Sequence, residues 1–153
     1  MEFKSSVVLR LRNAYRLTFN VLRIMKKPIR SYKDLDVYQN AYKASMQVMK
    51  IILPKLPDSE KYDLKDQLSR SCKAIPRLIA EGYAKKHQKA GFQKYLDDAR
   101  AESNETGVSL EQVKDLYLKN ESDIKLCEEL IDIYDKISRQ LYKLKESWNN
   151  FIK

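Results

Sequence analysis

The amino-acid sequence predicts an all-α protein, an antiparallel up-down four-helix bundle preceded by a basic extension. Three observations carry that expectation. The 153 residues include only three glycines and four prolines, too few for the many tight turns of an all-β fold. Four long stretches repeat apolar residues at helical spacing. The links between these stretches are short, so successive helices must run antiparallel. At this length one domain with a full core is the natural count. No run of apolar residues is long enough to suggest a membrane span.

Residues 1–30 are expected to be an extension, helical or without fixed structure, ahead of a bundle domain at 31–153. Val8, Leu11, Tyr15, Phe19 and Leu22 fall on one helical face flanked by Arg12, Arg16 and Arg23. Leu17, Val21 and Ile24 lie on the back, so the segregation is poor. No acid occurs between Lys4 and Lys33, as in a transit peptide or a membrane-surface helix. A simpler reading makes Met25 the physiological start, and mass spectrometry of the native N-terminus decides between the two.

The first helix is expected from Asp34 to about Leu53. Ser31 or Asp34 would cap it, and Pro54 and Pro57 would stop it. Its buried stripe reads Leu35, Tyr38, Tyr42, Met49 and Ile52. The second helix starts near Asp58 or Ser59 and runs to about Ala84, with Pro76 in its interior and Gly82 near its end. An interior proline removes one backbone hydrogen bond and crowds the preceding turn, at a cost of roughly 3 kcal/mol. Packing or a useful kink must therefore hold it. Leu68, Cys72, Ile75 and Ile79 form its apolar side.

The third helix is expected from Lys89 to Leu118, with the stripe Phe92, Leu96, Ala99, Ser103, Thr106, Leu110, Val113 and Tyr117. Small residues at its middle, with Gly107 adjacent, suit close approach of another backbone. Asn120 ends it. The fourth helix, from about Ser122 to Asn149, carries Cys127, Leu130, Tyr134, Ile137, Leu141, Leu144, Trp148 and Phe151 on one face. Cys72 and Cys127 both fall on apolar faces and read as buried thiols in a reducing cytoplasm rather than as a disulfide.

The net charge of +9 is unevenly spread. Residues 1–30 carry +7, residues 61–94 carry +6, residues 95–135 carry −8 and residues 136–153 carry +4, while 31–60 balance. Such polarised fields steer partners and also favour self-assembly between unlike faces. On the second helix Lys61, Lys65, Lys73 and Arg77 recur at multiples of four, with Arg70 beside them. Lys85, Lys86, Lys89 and Lys94 extend the charge past its end. A stripe so poor in acids suits a phosphate backbone, and Tyr62 and Tyr83 flank it as stacking groups. A solvated helix face remains the plainer alternative.

Catalytic chemistry finds no support in the residues, so the chain is read as non-enzymatic and without a cofactor or metal. Glu81 and Glu105 are the acids nearest to apolar stretches, but a di-iron bundle needs Glu-x-x-His pairs and the one histidine is His87, in a basic link. The expected role of Glu81 is a buried carboxylate held by hydroxyl, amide or arginine partners. Neither cysteine has a histidine nearby, and no phosphate-binding glycine loop or zinc spacing appears.

Residues 31–148 resemble the four-helix-bundle family encoded in intervening sequences of bacterial large-subunit ribosomal RNA genes. The likeness rests on Ser31 to Lys43 (SYKDLDVYQNAYK), on Gln67 to Tyr83 (QLSRSCKAIPRLIAEGY), and on Phe92 to Glu105 (FQKYLDDARAESNE). The family's central motif, Q-L-R-R-A-x-x-S-I-P-x-N-I-A-E-G, is matched at Gln67, Leu68, Arg70, Ile75, Pro76, Ile79, Ala80, Glu81 and Gly82. The resemblance implies an antiparallel bundle assembling as a homopentamer, with basic surfaces for RNA or other structured nucleic acid. It makes Pro76, Glu81, Gly82 and Glu105 motif residues of the fold. A related protein, the accessory variability protein of diversity-generating retroelements, implies a reverse transcriptase as an alternative partner. Leu78 stands where Asn is usual, Arg77 replaces a small polar residue, Ala74 replaces Ser, and Ala101-Glu102 replace Gly-Ser. Loss of the Asn removes one partner for Glu81. Arg77 either adds a cation for phosphate or meets a neighbouring subunit's acidic third helix.

Overall fold

The computed structural model describes residues 28–151; the expected N-terminal extension and Met25 lie outside the described residues, apart from 28–30. Four helices run up and down: α1 (Asp36–Gln47), α2 (Leu64–Ala84), α3 (Lys89–Tyr117) and α4 (Glu121–Phe151). Each helix packs on the next, and α1 closes the ring against α4. No strand occurs among the described residues, and no described helix is long and apolar enough to cross a membrane.

Local chemistry explains each boundary. Ser31 and Asp34 form a reciprocal cap around a 3-10 turn at Tyr32–Asp34. The Ser31 amide donates to Asp34 Oδ2 at 2.9 Å, while Ser31 Oγ accepts from the Lys33 amide at 3.2 Å. The first helix does not run unbroken to Leu53. It widens into a π turn at Val48–Ile52 and tightens into a 3-10 turn at Leu53–Lys55, so Val48, Ile52 and Leu53 all face inward. Pro57 then leads into another 3-10 turn, Asp58–Glu60. The Glu60 carboxylate accepts from the Leu64 amide and from the Tyr117 hydroxyl, joining the start of α2 to the end of α3.

Lys61 therefore precedes α2 rather than lying on it. Asn120 likewise serves the helix after it. Its Oδ1 accepts from the Ser122 amide at 2.9 Å and from the Ser122 hydroxyl at 2.7 Å, capping α4.

The core lies between α2, α3 and α4. Leu68, Cys72, Ile75 and Ile79 of α2 meet Phe92, Leu96, Ala99, Leu110 and Val113 of α3 and Cys127, Leu130, Tyr134, Ile137 and Leu141 of α4, all essentially without solvent exposure. Burying each large side chain contributes about 1.5–3 kcal/mol before conformational entropy is subtracted. Pro76 is buried within an unbroken α2. The inward face of α1 differs from the expected stripe: Val37, Ala41, Ala44 and Val48 are buried, whereas Tyr42 is 49% exposed and stacks on Tyr38 at 6.2 Å. The buried positions 37, 41, 44 and 48 keep ordinary helical spacing and lie one residue ahead of Tyr38 and Tyr42, which leaves those two rings on the flank of the inward face.

Gly82, not Gly107, marks the tight helix crossing. A Cβ on Gly82 would stand 2.6 Å from Tyr95 Cβ and 3.1 Å from the Phe92 ring, whereas one on Gly107 would meet nothing within 4 Å. Buried hydroxyls bridge the middle of the bundle. Ser103 Oγ donates to the Tyr134 carbonyl at 2.8 Å. The Thr106 hydroxyl shares its proton between Ser71 Oγ at 2.9 Å and the Glu102 carbonyl at 2.8 Å. Both cysteines are free and buried, and burial pushes each thiol up to about 11. Neither is a thiolate nucleophile at neutral pH.

Candidate nucleic-acid interface

The sequence places nine cations along α2, the link after it and the start of α3. The structure distributes them over three regions. Lys61 and Lys65 lie at the N-terminal end, Lys61 with its Nζ 5.2 Å from the ring centroid of Tyr62, which is 87% exposed. Arg70, Lys73 and Arg77 line a groove against α3. Lys85 and Lys86 follow the C-terminus of α2, where cations also oppose the negative end of the helix dipole. Lys94 is exposed on α3, and the Lys89 side chain lies outside the described residues. Because α2 has 21 residues, the array extends over about 30 Å.

Aromatic rings fix the C-terminal group. Lys85 Nζ donates to the Tyr95 hydroxyl at 2.9 Å and lies 4.8 Å from that ring's centroid. The hydrogen bond to Tyr95 holds the Lys85 ammonium above its ordinary range. Lys86 Nζ stands 4.1 Å over Tyr83, whose ring is buried against the edge of Phe92. Tyr83 is therefore core and gives no exposed face for stacking, unlike Tyr62. Trp148 Nε1 donates to the Lys86 carbonyl at 3.3 Å, pinning the link to the end of α4.

These cations are poorly neutralised within the chain. Among the described residues only Arg70 of the set forms an ion pair, with Asp66 at 3.4 Å, on an exposed surface where such pairs contribute about 0–1 kcal/mol. Lys61, Lys65, Lys73, Arg77, Lys85, Lys86 and Lys94 have no carboxylate within 4.0 Å. Other cations of the chain are engaged: Lys145 with Asp97, Lys55 with Asp123, Arg139 with Asp135.

The α2–α3 groove was not foreseen. It encloses about 870 Å³, with Arg70, Lys73 and Arg77 on one side and Glu102 and Glu105 on the other. Ser71, Ala74 and Ser109 keep its floor low. Burial and then the neighbouring Glu105 charge push the Glu102 carboxyl upward, and Arg70 only partly opposes this. The available signal was the spacing Glu102, Glu105, Ser109 and Gln112, a second polar edge one side of the α3 core stripe. Glu81 departs from expectation: it is exposed, because its position on α2 turns outward between Arg77 and Lys85. Glu105 is exposed on the groove wall. Among the described residues, no cluster of three His, Cys, Asp or Glu side chains could hold a metal ion.

Fold and surface together define a small antiparallel helical bundle with cations gathered on α2 and the link after it. The family model of the 23S rRNA-intervening sequence proteins matches residues 33–143, and the chain belongs to that family. A crystal structure of a protein with unknown function from the S23 ribosomal protein family of Bacteroides thetaiotaomicron shares the fold. The two are 20% identical with a TM-score of 0.59, over 72% of this chain and 95% of that one. No curated protein matches the chain.

Proposed function

We propose that the chain is a non-catalytic, cytoplasmic, homo-oligomeric bundle that binds structured RNA along the α2 edge and the link that follows it. The carrying observation is the unneutralised row. Seven described cations on α2, its flanking turns and the first turns of α3 lack a carboxylate partner, although Glu102 and Glu105 of α3 line the same groove as Arg70, Lys73 and Arg77. Counter-ions must fill that role in free solution, and their release on phosphate binding favours association. The family's description, a protein of 23S rRNA intervening sequences, supports RNA as the polyanion.

A gel-shift titration with structured RNA across salt tests this. Each phosphate contact should contribute roughly −0.7 to −0.9 to the slope of log affinity against log salt. Replacing Lys65, Lys73, Arg77 and Lys85 by Gln should lower affinity and flatten that slope. Weak binding that barely changes with salt would overturn the reading.

A second reading, docking of a protein partner such as a reverse transcriptase, is favoured by one feature. Tyr42, Met46 and Ile133 line a trough between α1 and α4, with Lys43 and Lys136 in its lining. Partner capture that survives neutralisation of Lys61, Lys65, Lys73 and Lys85 would support it.

A further inference from the structure

A groove that held only phosphate would be ill served by two carboxylates. Glu102 and Glu105 face the space that Arg70 and Arg77 bound from the other side, and among the described residues no ion pair crosses it. The acids thus form no ion pair with those cations and stay in the lining of the cavity. A ligand suited to both walls must carry an anion and, a few ångströms away, hydrogen-bond donors. An unpaired nucleotide does so: its phosphate is anionic and its base edge carries N–H groups.

We infer that the α2–α3 groove reads an unpaired guanine, with Arg70 and Arg77 on the flanking phosphates and the Glu102–Glu105 wall accepting from the base. The inference rests on the RNA-binding reading above and gives that surface its sequence preference.

Guanine is selected by the order of its donors. Its Watson–Crick edge shows N1–H and the 2-amino group side by side, matching the two oxygens of one carboxylate. Adenine and cytosine set a single amine beside an acceptor nitrogen, which a carboxylate repels. Uracil sets one N–H between two carbonyls. The exposed Val108 side chain, 54% accessible at the groove, supplies apolar surface for the face of the base. About 870 Å³ lies within the usual range of small-ligand sites and exceeds the needs of one base. Donors from the base also relieve the mutual repulsion of two neighbouring carboxylates, the repulsion that helps to push Glu102 upward.

The test uses the full chain and a short uridine-rich RNA oligomer carrying one central guanosine, compared with oligomers carrying inosine, adenosine or cytidine there. Fluorescence anisotropy at fixed salt should show the guanosine oligomer binding about tenfold tighter, the usual worth of a good bidentate base contact. Inosine, which lacks the 2-amino group, should lose most of that advantage. Glu102→Gln or Glu105→Gln should abolish the preference, so that the guanosine oligomer binds no tighter than plain oligouridine.

Equal binding of all oligomers would overturn the inference. So would Gln variants that tighten every oligomer alike, since the acids would then only repel phosphate. A second copy of the chain filling the groove would appear as altered sedimentation of Glu102→Gln without base preference, and would overturn it too. Salt-dependent binding without guanine preference removes this inference alone. Absence of salt-dependent binding to these oligomers and to structured RNA removes the RNA-binding reading with it.

Discussion

Gly82 and Gly107 show how one residue type carries opposite consequences in one bundle. Both lie within helices and neither has positive φ, so backbone conformation does not demand glycine at either site. Relative to alanine, each costs helix stability of about 0.8–1.0 kcal/mol. At Gly82 an added Cβ meets another Cβ at 2.6 Å, and no side-chain rotation relieves that contact. Overpacking of this kind costs roughly 1–3 kcal/mol, which outweighs the propensity gain. Gly82→Ala should therefore lower unfolding stability by about 1 kcal/mol in a urea titration, as the difference of those two effects. Gly107→Ala meets open space and should raise it by about 0.8–1.0 kcal/mol, the full helix-propensity gain. Stabilisation by both would mean that the α2–α3 crossing relaxes freely. The Glu-Gly pair of the central motif is thus split by role, with Gly82 buried at the crossing and Glu81 turned to solvent.

At the scale of elements, periodicity made α3 and α4 legible almost to the residue. Every expected stripe member of α3 except Tyr117 is fully buried, because a long helix between two neighbours has one unambiguous inward direction. The first helix was harder to read. It is short, ends through π and 3-10 turns, and uses small residues inward, so its tyrosines outweighed Ala41 and Ala44 in the pattern. Helix ends follow from capping chemistry rather than periodicity, and Asn120 illustrates the difference. Its side chain accepts two bonds from Ser122 at the start of α4, and its carbonyl accepts from the Asp123 and Ile124 amides at 3.1 and 3.0 Å. Asn120→Ala removes the side-chain bonds and leaves the carbonyl ones, and should cost about 0.5–2 kcal/mol. Thermal unfolding followed by circular dichroism measures this. Asn120→Asp should hold the loss to a fraction of that, because a carboxylate accepts the same bonds and suits the positive end of the α4 dipole.

At the scale of the whole molecule, charge partition was readable and its geometry was not. The +6 and −8 segments could be counted from the sequence, but only tertiary structure shows Arg77 and Glu105 lining the same groove of one chain. That placement bears on the choice between a phosphate and a neighbouring subunit as the partner of Arg77. At physiological salt the Debye length is about 8 Å, so the acids of the chain's own groove act on Arg77 more strongly than charges farther away in solution. A carboxylate from a second copy would enter a space already bordered by two, and like charges there oppose it. A phosphate meets the same repulsion, but a nucleotide also brings base donors for those acids, whereas an acidic helix brings further carboxylates. Arg77→Glu should therefore weaken RNA binding several-fold, since it removes one phosphate contact and adds a repulsive charge. The sedimentation coefficient of the free protein should stay unchanged across the same range of salt. If Arg77→Glu instead dissociates an assembly while RNA binding by the remaining species persists, Arg77 belongs to the contact between subunits and the basic edge of α2 ends at Lys73.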